Sequence, residues 1–235
     1  MTNQAEAYNL LNKKEPLHED LLPYAEAYNL LNKKEPLHKD LLPYYEDGGA
    51  FPMLRHPLIM SVPHSNGMNA FLNEQYKHKK AHAENLLKKK QYESYIYLHE
   101  RPYRLQTFKK VEKHLDDMKY WGVLAEIWRD SENIWQNKSE WKSVLNSKRK
   151  YRDEFMSEED RHYFDKMPET ITVYRGYTVG KNEKGFSYTT DKSKAEWFSK
   201  RNFAKEGKVL TRKVKKSEIF AYTNERGENE IIILK

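Results

Sequence analysis

Three short runs in the last third of the chain carry residue types that suit one kind of chemistry. Val173–Gly176 contains an arginine, Phe186–Asp191 contains serine and threonine hydroxyls, and Glu228–Ile233 contains two carboxylates. A guanidinium presents a planar, permanently charged fork to phosphate oxygens. A carboxylate can stabilise the positive charge that develops on a sugar as its glycosidic bond breaks. Together these runs predict a site that holds an anionic dinucleotide and cleaves its glycosidic bond.

The alternation of residues after Pro168 indicates the strands that would position these groups. Ile171, Val173 and Arg175 lie on one side of a first strand, so we expect Arg175 at the rim of a core-lined cleft. A second strand, 185–190, places Ser187 and Thr189 on one face. Thr190 or Asp191 is expected to cap the helix that follows. Two further strands are predicted at 208–214 and 219–221.

The closing strand combines charge with burial. Glu228 and Glu230 are predicted to share one face of it, while residues 231–234 are apolar on both sides. The fold class predicted for the chain is α+β, with a helical region before residue 168 followed by a compact mixed, mostly antiparallel sheet.

The order of these motifs resembles the signature of ADP-ribosyltransferases of the arginine-serine-glutamate class, which are related to bacterial toxins and to phage enzymes that modify host factors. The resemblance covers residues 168–235. The matching positions are Arg175, Ser187, Thr189, Ala195, Phe198, Glu228 and Glu230. Tyr188 and Thr189 replace the usual threonine and second serine, and Arg175 and Ser187 are closer in sequence than is usual in that family.

The resemblance implies that the substrate is NAD, bound with no metal, and that nicotinamide is released. Arg175 would bind the pyrophosphate, and Glu230 would stabilise the oxocarbenium ion of the ribose. Ser187 would hold Glu230 in place, Gly176 would let the backbone approach the nicotinamide amide, and Glu228 would orient or deprotonate the acceptor. The expected NAD-binding residues are Tyr174, Arg175, Gly176, Ser187, Thr189 and Phe198.

The resemblance therefore implies a mono-ADP-ribosyltransferase with a macromolecular acceptor, and Glu228 favours the arginine of a protein. Three alternatives stay open: a nucleic-acid acceptor, hydrolysis of NAD by water, and a non-enzymatic binding protein on a decayed transferase scaffold. Three of the site residues also have a structural interpretation. Glu228 could be a surface partner of Arg226 or a nearby lysine, Arg175 could form a rim salt bridge, and Ser187 could be an ordinary strand hydroxyl.

Composition and charge limit the other classes of protein. The net charge of +7 is uneven, because residues 1–50 carry 5 basic and 9 acidic side chains whereas residues 168–235 carry 15 and 9. This basic excess favours a polyanionic ligand. The chain has no cysteine, no apolar run long enough for a membrane and no signal-like start. We expect a cytoplasmic protein with no membrane partner, and the resemblance to the transferase family implies a bacterial or phage-infected cell.

The sequence before residue 168 predicts two further regions. Residues 1–50 form an arm in which 5–24 recur as 25–44 with one change, Glu19 to Lys39, and short helices are expected in each copy. Residues 51–167 are predicted to form a linker and a helical region, with 47–67, which is rich in glycine and proline, as a linker or irregular cover. A basic helix is expected from Met68 to about Gln91. The tryptophans expected in the helical core are Trp121, Trp128, Trp135 and Trp141.

Overall fold

The computed structural model describes residues 33–48, 51–132, 134–201 and 206–234. The first copy of the repeat, and the helices expected in both copies, lie outside the described residues. The chain divides into two compact units, 1–100 and 101–235. This division does not coincide with the predicted boundaries at 50 and 167, because the later helices and the second sheet belong to the same unit.

The first unit contains a small antiparallel sheet where the sequence predicted an irregular linker. Strands Tyr45–Glu46 (β1), Met53–His56 (β2) and Ile59–Pro63 (β3) pair in the order β1-β2-β3. The prediction for 47–67 was wrong because its glycines and prolines lie largely between or at the ends of strands, where they do not interrupt the ladder. Leu54 and Ile59 on these strands are buried in the core of the unit.

In the described part of the first unit, two helices follow the sheet. The helix Asn69–Lys88 (α1) confirms the one predicted from Met68, and Tyr92–Leu98 (α2) follows it. Most of the lysines predicted to be solvated on α1 are exposed. Three of them form ion pairs with acidic residues, namely Lys77 with Glu74, Lys79 with Glu100 and Lys80 with Asp40.

Helices come first in the second unit, and local sequence signals fix where several of them begin. Asp116 caps the helix Asp117–Asp130, and Ser157 caps the helix Glu158–Asp165 by accepting the amide of Asp160, as predicted. The helices of this part are Arg104–Val111 (α3), Asp117–Asp130 (α4), Lys138–Leu145 (α5) and Glu158–Asp165 (α6). Trp121, Trp128 and Trp141 are buried as predicted.

Trp135 does not belong to the core, and here the sequence prediction was wrong. It lies between α4 and α5, in the connection that interrupts the helical spacing, and its side chain is 37% exposed.

The strands of the second sheet are Thr170–Thr178 (β4), Ser187–Thr189 (β5), Gly207–Lys215 (β6), Ala221–Thr223 (β7) and Glu230–Ile232 (β8). They pair in the order β6-β4-β5-β8-β7, and every described pairing is antiparallel. The segment predicted as a strand at 219–221 is wrong in position, because a 3-10 turn at Lys216–Glu218 delays the strand to Ala221. The described residues thus confirm the α+β class.

A short helix, Lys192–Lys200 (α7), packs on β4 because Gly176 has no side chain. A Cβ at Gly176 would collide with the backbone of Ala195 and Ser199. Asp191 caps this helix by accepting the amides of Ser193 and Lys194, so of the two predicted caps it is Asp191 that acts. None of the described helices is long and apolar enough to cross a membrane.

One prediction concerns the pH dependence of the first unit. The ammonium group of Lys80 and the hydroxyl of Tyr76 lower the pKa of Asp40 from 3.8 to about 2. Because this pKa is lower in the folded than in the unfolded chain, the ionised carboxylate stabilises the fold above the unfolded pKa of 3.8. That contribution is lost as the pH falls through the folded pKa of about 2.

We therefore expect Asp40→Asn to lower the unfolding midpoint of the first unit at neutral pH and to have no effect once Asp40 is protonated in both states. Urea unfolding at several pH values would measure this. Glu84→Gln, at an exposed position of α1, the helix that carries Tyr76 and Lys80, is the control. Equal destabilisation by Asp40→Asn at neutral and strongly acidic pH would contradict the assignment.

Candidate functional site

All eight predicted site residues border one cavity of about 350 Å³ in the second unit. They come from β4, β5, α7 and the segment that enters β8. They are Tyr174, Arg175, Gly176, Ser187, Thr189, Phe198, Glu228 and Glu230. The strand order explains this convergence, since β5 lies between β4 and β8 and therefore brings its hydroxyls between the arginine and the glutamates.

Arg175 lies deeper than the sequence predicted. It shares the buried face of β4 with Val173, as expected, but it is only 9% exposed and so does not lie at the rim. Its terminal nitrogens donate to the carbonyl oxygens of Ser187 and Asn182. Its Nε–H is buried without a hydrogen-bond partner among the described residues. Desolvation lowers the pKa of the guanidinium, and the charge of Glu230 opposes that shift.

Gly185 makes room for this guanidinium. A Cβ at this position would collide with the terminal nitrogens and central carbon of the Arg175 side chain. The residue pattern around Gly185 predicted only that it begins a strand and indicated no function for it. A glycine followed by a strand is too common a pattern to reveal the close approach.

Glu230 begins β8, and the indole of Trp128 donates to its carboxylate. The Nε1 atom of Trp128 lies 3.1 Å from Oε2 of Glu230. Desolvation raises the pKa of Glu230, and the side chains of Ser187 and Trp128 act to lower it. The negative charge of Glu228 raises it further.

Glu228 borders the cavity from a turn, and the closing strand is shorter than predicted. Asn229 has a φ of 48°, in the left-handed region, so the side-chain alternation of a strand does not extend back to Glu228. The expectation that Glu228 and Glu230 share a strand face was therefore wrong. The Thr189 hydroxyl fixes the turn instead, because it donates to the carbonyl oxygen of Glu228 at 2.6 Å.

A second set of hydrogen bonds, to β7 and α6, stabilises the same turn. The side chain of Asn224 accepts the amide of Asn229, and the amide of Asn224 in turn reaches the carboxylate of Asp160 at 3.1 Å. The hydroxyl of Tyr222 donates to the side chain of Asn229 at 2.9 Å. Both ends of the turn are thereby tied to the sheet and to α6.

Basic and aromatic side chains that the sequence analysis did not assign to the site complete the cavity. The ammonium of Lys138 lies 5.2 Å from the ring centre of Trp135 and 5.3 Å from that of Phe186. Desolvation lowers the pKa of Lys138, as do the nearby positive charges of Lys142, Lys184 and Arg175. Further basic residues at the cavity are Arg129, Arg201 and Arg226.

The arrangement can hold an anion and stabilise a cation at different points of one cavity. Basic groups suit phosphates, while the desolvated carboxylate of Glu230 suits a positive charge that develops beside it. Among the described residues there is no group of three histidines or carboxylates placed to bind a metal ion. Comparison with protein families, with curated proteins and with solved structures finds no match to this chain.

A first prediction for the site concerns Trp128. Because its indole hydrogen bond favours the ionised carboxylate, Trp128→Phe should raise the pKa of Glu230. NMR titration of the Glu230 carboxyl, identified by its absence in Glu230→Gln, would measure the change. Trp141→Phe is the matched control, since the indole nitrogen of Trp141 is buried without a hydrogen-bond partner among the described residues. An equal titration in both variants would rule out the role of Trp128.

A second prediction concerns Gly185. Gly185→Ala should displace the Arg175 guanidinium and lower the thermal stability of the second unit, since the new methyl group and the buried cation cannot occupy the same space. Gly122→Ala on α4 is the control, because a Cβ there has no atom within 4 Å. Scanning calorimetry of both variants would test this. Unchanged stability of Gly185→Ala would show that Arg175 is not confined as described.

Proposed function

We propose that this chain is a mono-ADP-ribosyltransferase that transfers ADP-ribose from NAD to a protein acceptor, with arginine as the favoured acceptor, and releases nicotinamide. The observation that carries the proposal is the meeting of Arg175, Ser187 and Glu230 at one cavity. The order of the three motifs and the resemblance they carry add support. A cavity of this size lies within the usual range for small-molecule sites.

In the proposed reaction Glu230 acts on the developing charge of the ribose. Nicotinamide leaves NAD as a neutral base, so the positive charge of the pyridinium moves to the sugar as an oxocarbenium ion. A carboxylate shielded from water interacts with that charge more strongly than one in bulk solvent. The indole of Trp128 donates to this carboxylate, and both Trp128 and Ser187 favour its ionised form. Only the ionised form can stabilise the ribose cation, so Glu230 must be deprotonated for catalysis.

The phosphates of NAD would be bound by cations of the same cavity. Arg175 already donates to two backbone carbonyls, which leaves one N–H on each terminal nitrogen for a ligand. Lys138 adds a partly desolvated ammonium group on another side of the cavity. The half-buried Phe198 and the buried Phe186 offer apolar surface for an aromatic ring.

Glu228 is assigned to the acceptor. It borders the cavity close enough to Glu230 for its charge to raise the pKa of that group. A second carboxylate at this place can bind a cationic guanidinium and take its proton as it attacks the sugar. Loss of Glu228 should therefore impair transfer while water can still trap the ribose cation.

A nucleic-acid acceptor is the second candidate, and the excess of basic residues in 168–235 favours it. The two candidates share the steps at NAD and differ only in what attacks the sugar. The alternative of a binding protein without catalytic activity gives no reason for the hydrogen bond from Trp128 to Glu230.

The experiment incubates the protein with labelled NAD and cell lysate and then treats the products with protease or nuclease. We expect label that protease removes and that hydroxylamine, under conditions selective for arginine linkages, also releases. Label lost only to nuclease would replace the protein acceptor by a nucleic acid. Absence of both labelling and nicotinamide release would contradict the enzymatic proposal.

Variants separate the roles of the two glutamates. Glu230→Gln should lower nicotinamide release at least about a hundredfold, the size expected when a main electrostatic stabiliser is removed. Glu228→Gln should lose acceptor labelling but keep NAD hydrolysis. Glu206→Gln, on an exposed turn, is the matched control. Equal loss of hydrolysis and transfer in Glu228→Gln would contradict its assignment to the acceptor.

A further inference from the structure

One face of helix α1 in the first unit carries four polar side chains spaced along consecutive turns. Asn69, Asn73, Tyr76 and Lys80 follow one another at intervals of four, three and four residues, which places them in a row on the helix surface. We call this row the α1 polar row. Asn69, Asn73 and Tyr76 are buried, although asparagine is a residue type that is mostly exposed to solvent.

The burial is explained by the segment 35–44, which lies against the α1 polar row and ends in a 3-10 helix at Leu42–Tyr44. Asn73 binds it on both sides of its amide group, accepting the backbone N–H of His38 at 2.7 Å and donating to the Glu35 side chain at 2.8 Å and the Pro36 carbonyl at 2.9 Å. Asn69 donates to the carbonyl oxygen of Glu35 at 2.9 Å.

The second half of the segment is held by charge and by apolar burial. Tyr76 and Lys80 both donate to the carboxylate of Asp40, at 2.7 and 2.9 Å. Leu41 is 0% exposed in the core of the unit, and Tyr44 packs against that core. The recognised sequence is therefore Glu-Pro-Leu-His-x-Asp-Leu-Leu-Pro-Tyr.

The chain contains this sequence a second time, at 15–24. Every side chain that contacts the α1 polar row or the core has an identical counterpart twenty residues earlier, so that Asp20 corresponds to Asp40 and Leu21 to Leu41. The one difference within the segment, Glu19 in place of Lys39, falls where the structure has an exposed side chain. Exchange of an exposed charge has little effect on a docked segment.

We propose that the α1 polar row is a receptor for this sequence in either copy, and that residues 15–24 are its second ligand. The two copies compete for one surface, so residues 15–24 can replace residues 35–44 in completing the core of the first unit. The proposal is independent of the activity assigned to the second unit.

The residue that follows each copy explains why 35–44 is the bound one. Tyr45 continues the segment into β1, pairs with Leu54 and places its ring 5.2 Å from that of His64. The corresponding residue after the first copy is Ala25, which has no ring. The first copy is also farther along the chain from β2, so a longer loop must close when it binds. Both effects favour 35–44 without preventing the exchange.

A set of full-length variants tests the proposal. Leu41→Asp should remove the bound copy, after which the first copy takes its place and the first unit stays folded. Leu21→Asp alone should have no effect. The double variant should lose the unfolding transition of the first unit, a loss larger than the two single effects together. Urea unfolding followed by hydrogen exchange of the α1 amides would measure this.

Because the chain has no cysteine, cross-linking can identify the bound copy directly. Cysteines at Glu19 or Lys39 are each combined with Lys77→Cys on α1 and a short thiol cross-linker in dilute protein. Position 39 should cross-link in the native background, and Leu41→Asp should shift cross-linking to position 19. Adding Leu21→Asp should abolish that product.

Two results would overturn the proposal. One is unfolding of the first unit by Leu41→Asp alone to the same extent as by the double variant. The other is cross-linking at position 19 that Leu41→Asp does not increase or that Leu21→Asp does not remove. Circular dichroism of each variant shows whether its first unit is folded. Loss of the folded first unit in Leu41→Asp alone therefore counts against the exchange.

Discussion

The burial of one guanidinium is the constraint on which the second unit depends. A charge removed from water is costly unless its donors are paired, so Arg175 dictates what surrounds it. The carbonyls of Ser187 and Asn182 accept two of its N–H groups, and residue 185 must be glycine to leave it space. These requirements fix β5 and the connection before it relative to β4, which is the geometry that also brings Ser187 towards Glu230.

The carboxylate at the other end of the site depends on the helical part of the same unit. Glu230 accepts a hydrogen bond from the indole N–H of Trp128 on α4, which lies more than a hundred residues earlier in the chain. Trp128 is also a core residue, whose ring makes a T-shaped contact with that of Trp141 at 5.0 Å between centres. One side chain therefore links core packing to the position of the carboxylate. The strands after residue 168 would lack this donor if they were separated from the helices.

The sequence predicted those parts of the site that follow from strand alternation and helix capping. The strand face that Arg175 shares with Val173, the cap at Asp191 and the cap at Ser157 all depend on neighbours within a few residues. Trp128 was predicted to be buried, and its burial is confirmed. Its bond to Glu230 joins two distant segments, and no local pattern signals such a pair.

The predictions that failed did so where a few residues override a periodic pattern. Asn229 adopts a left-handed conformation and ends the alternation that was extended back to Glu228. Trp135 has helical spacing from Trp128 in the sequence, but the helix ends at Asp130, and Trp135 lies at the cavity instead of in the core. In the first unit, β2 and β3 form among prolines and glycines because their apolar residues have a core to cover. In each case tertiary contacts outweigh local propensity.

The short connection between β4 and β5 has a consequence for the proposed reaction. Its residues already brace the site, since the Asn182 carbonyl binds Arg175 and the Asn182 side chain accepts the amide of Thr178 at 2.9 Å. A segment used in this way has little freedom to select an acceptor. Selection then falls to the other walls of the cavity, the connection that carries Trp135 and the braced turn that carries Glu228. Of these two, the turn is tied at both ends, so it can present a carboxylate in one fixed place, as a reaction with a single kind of acceptor requires.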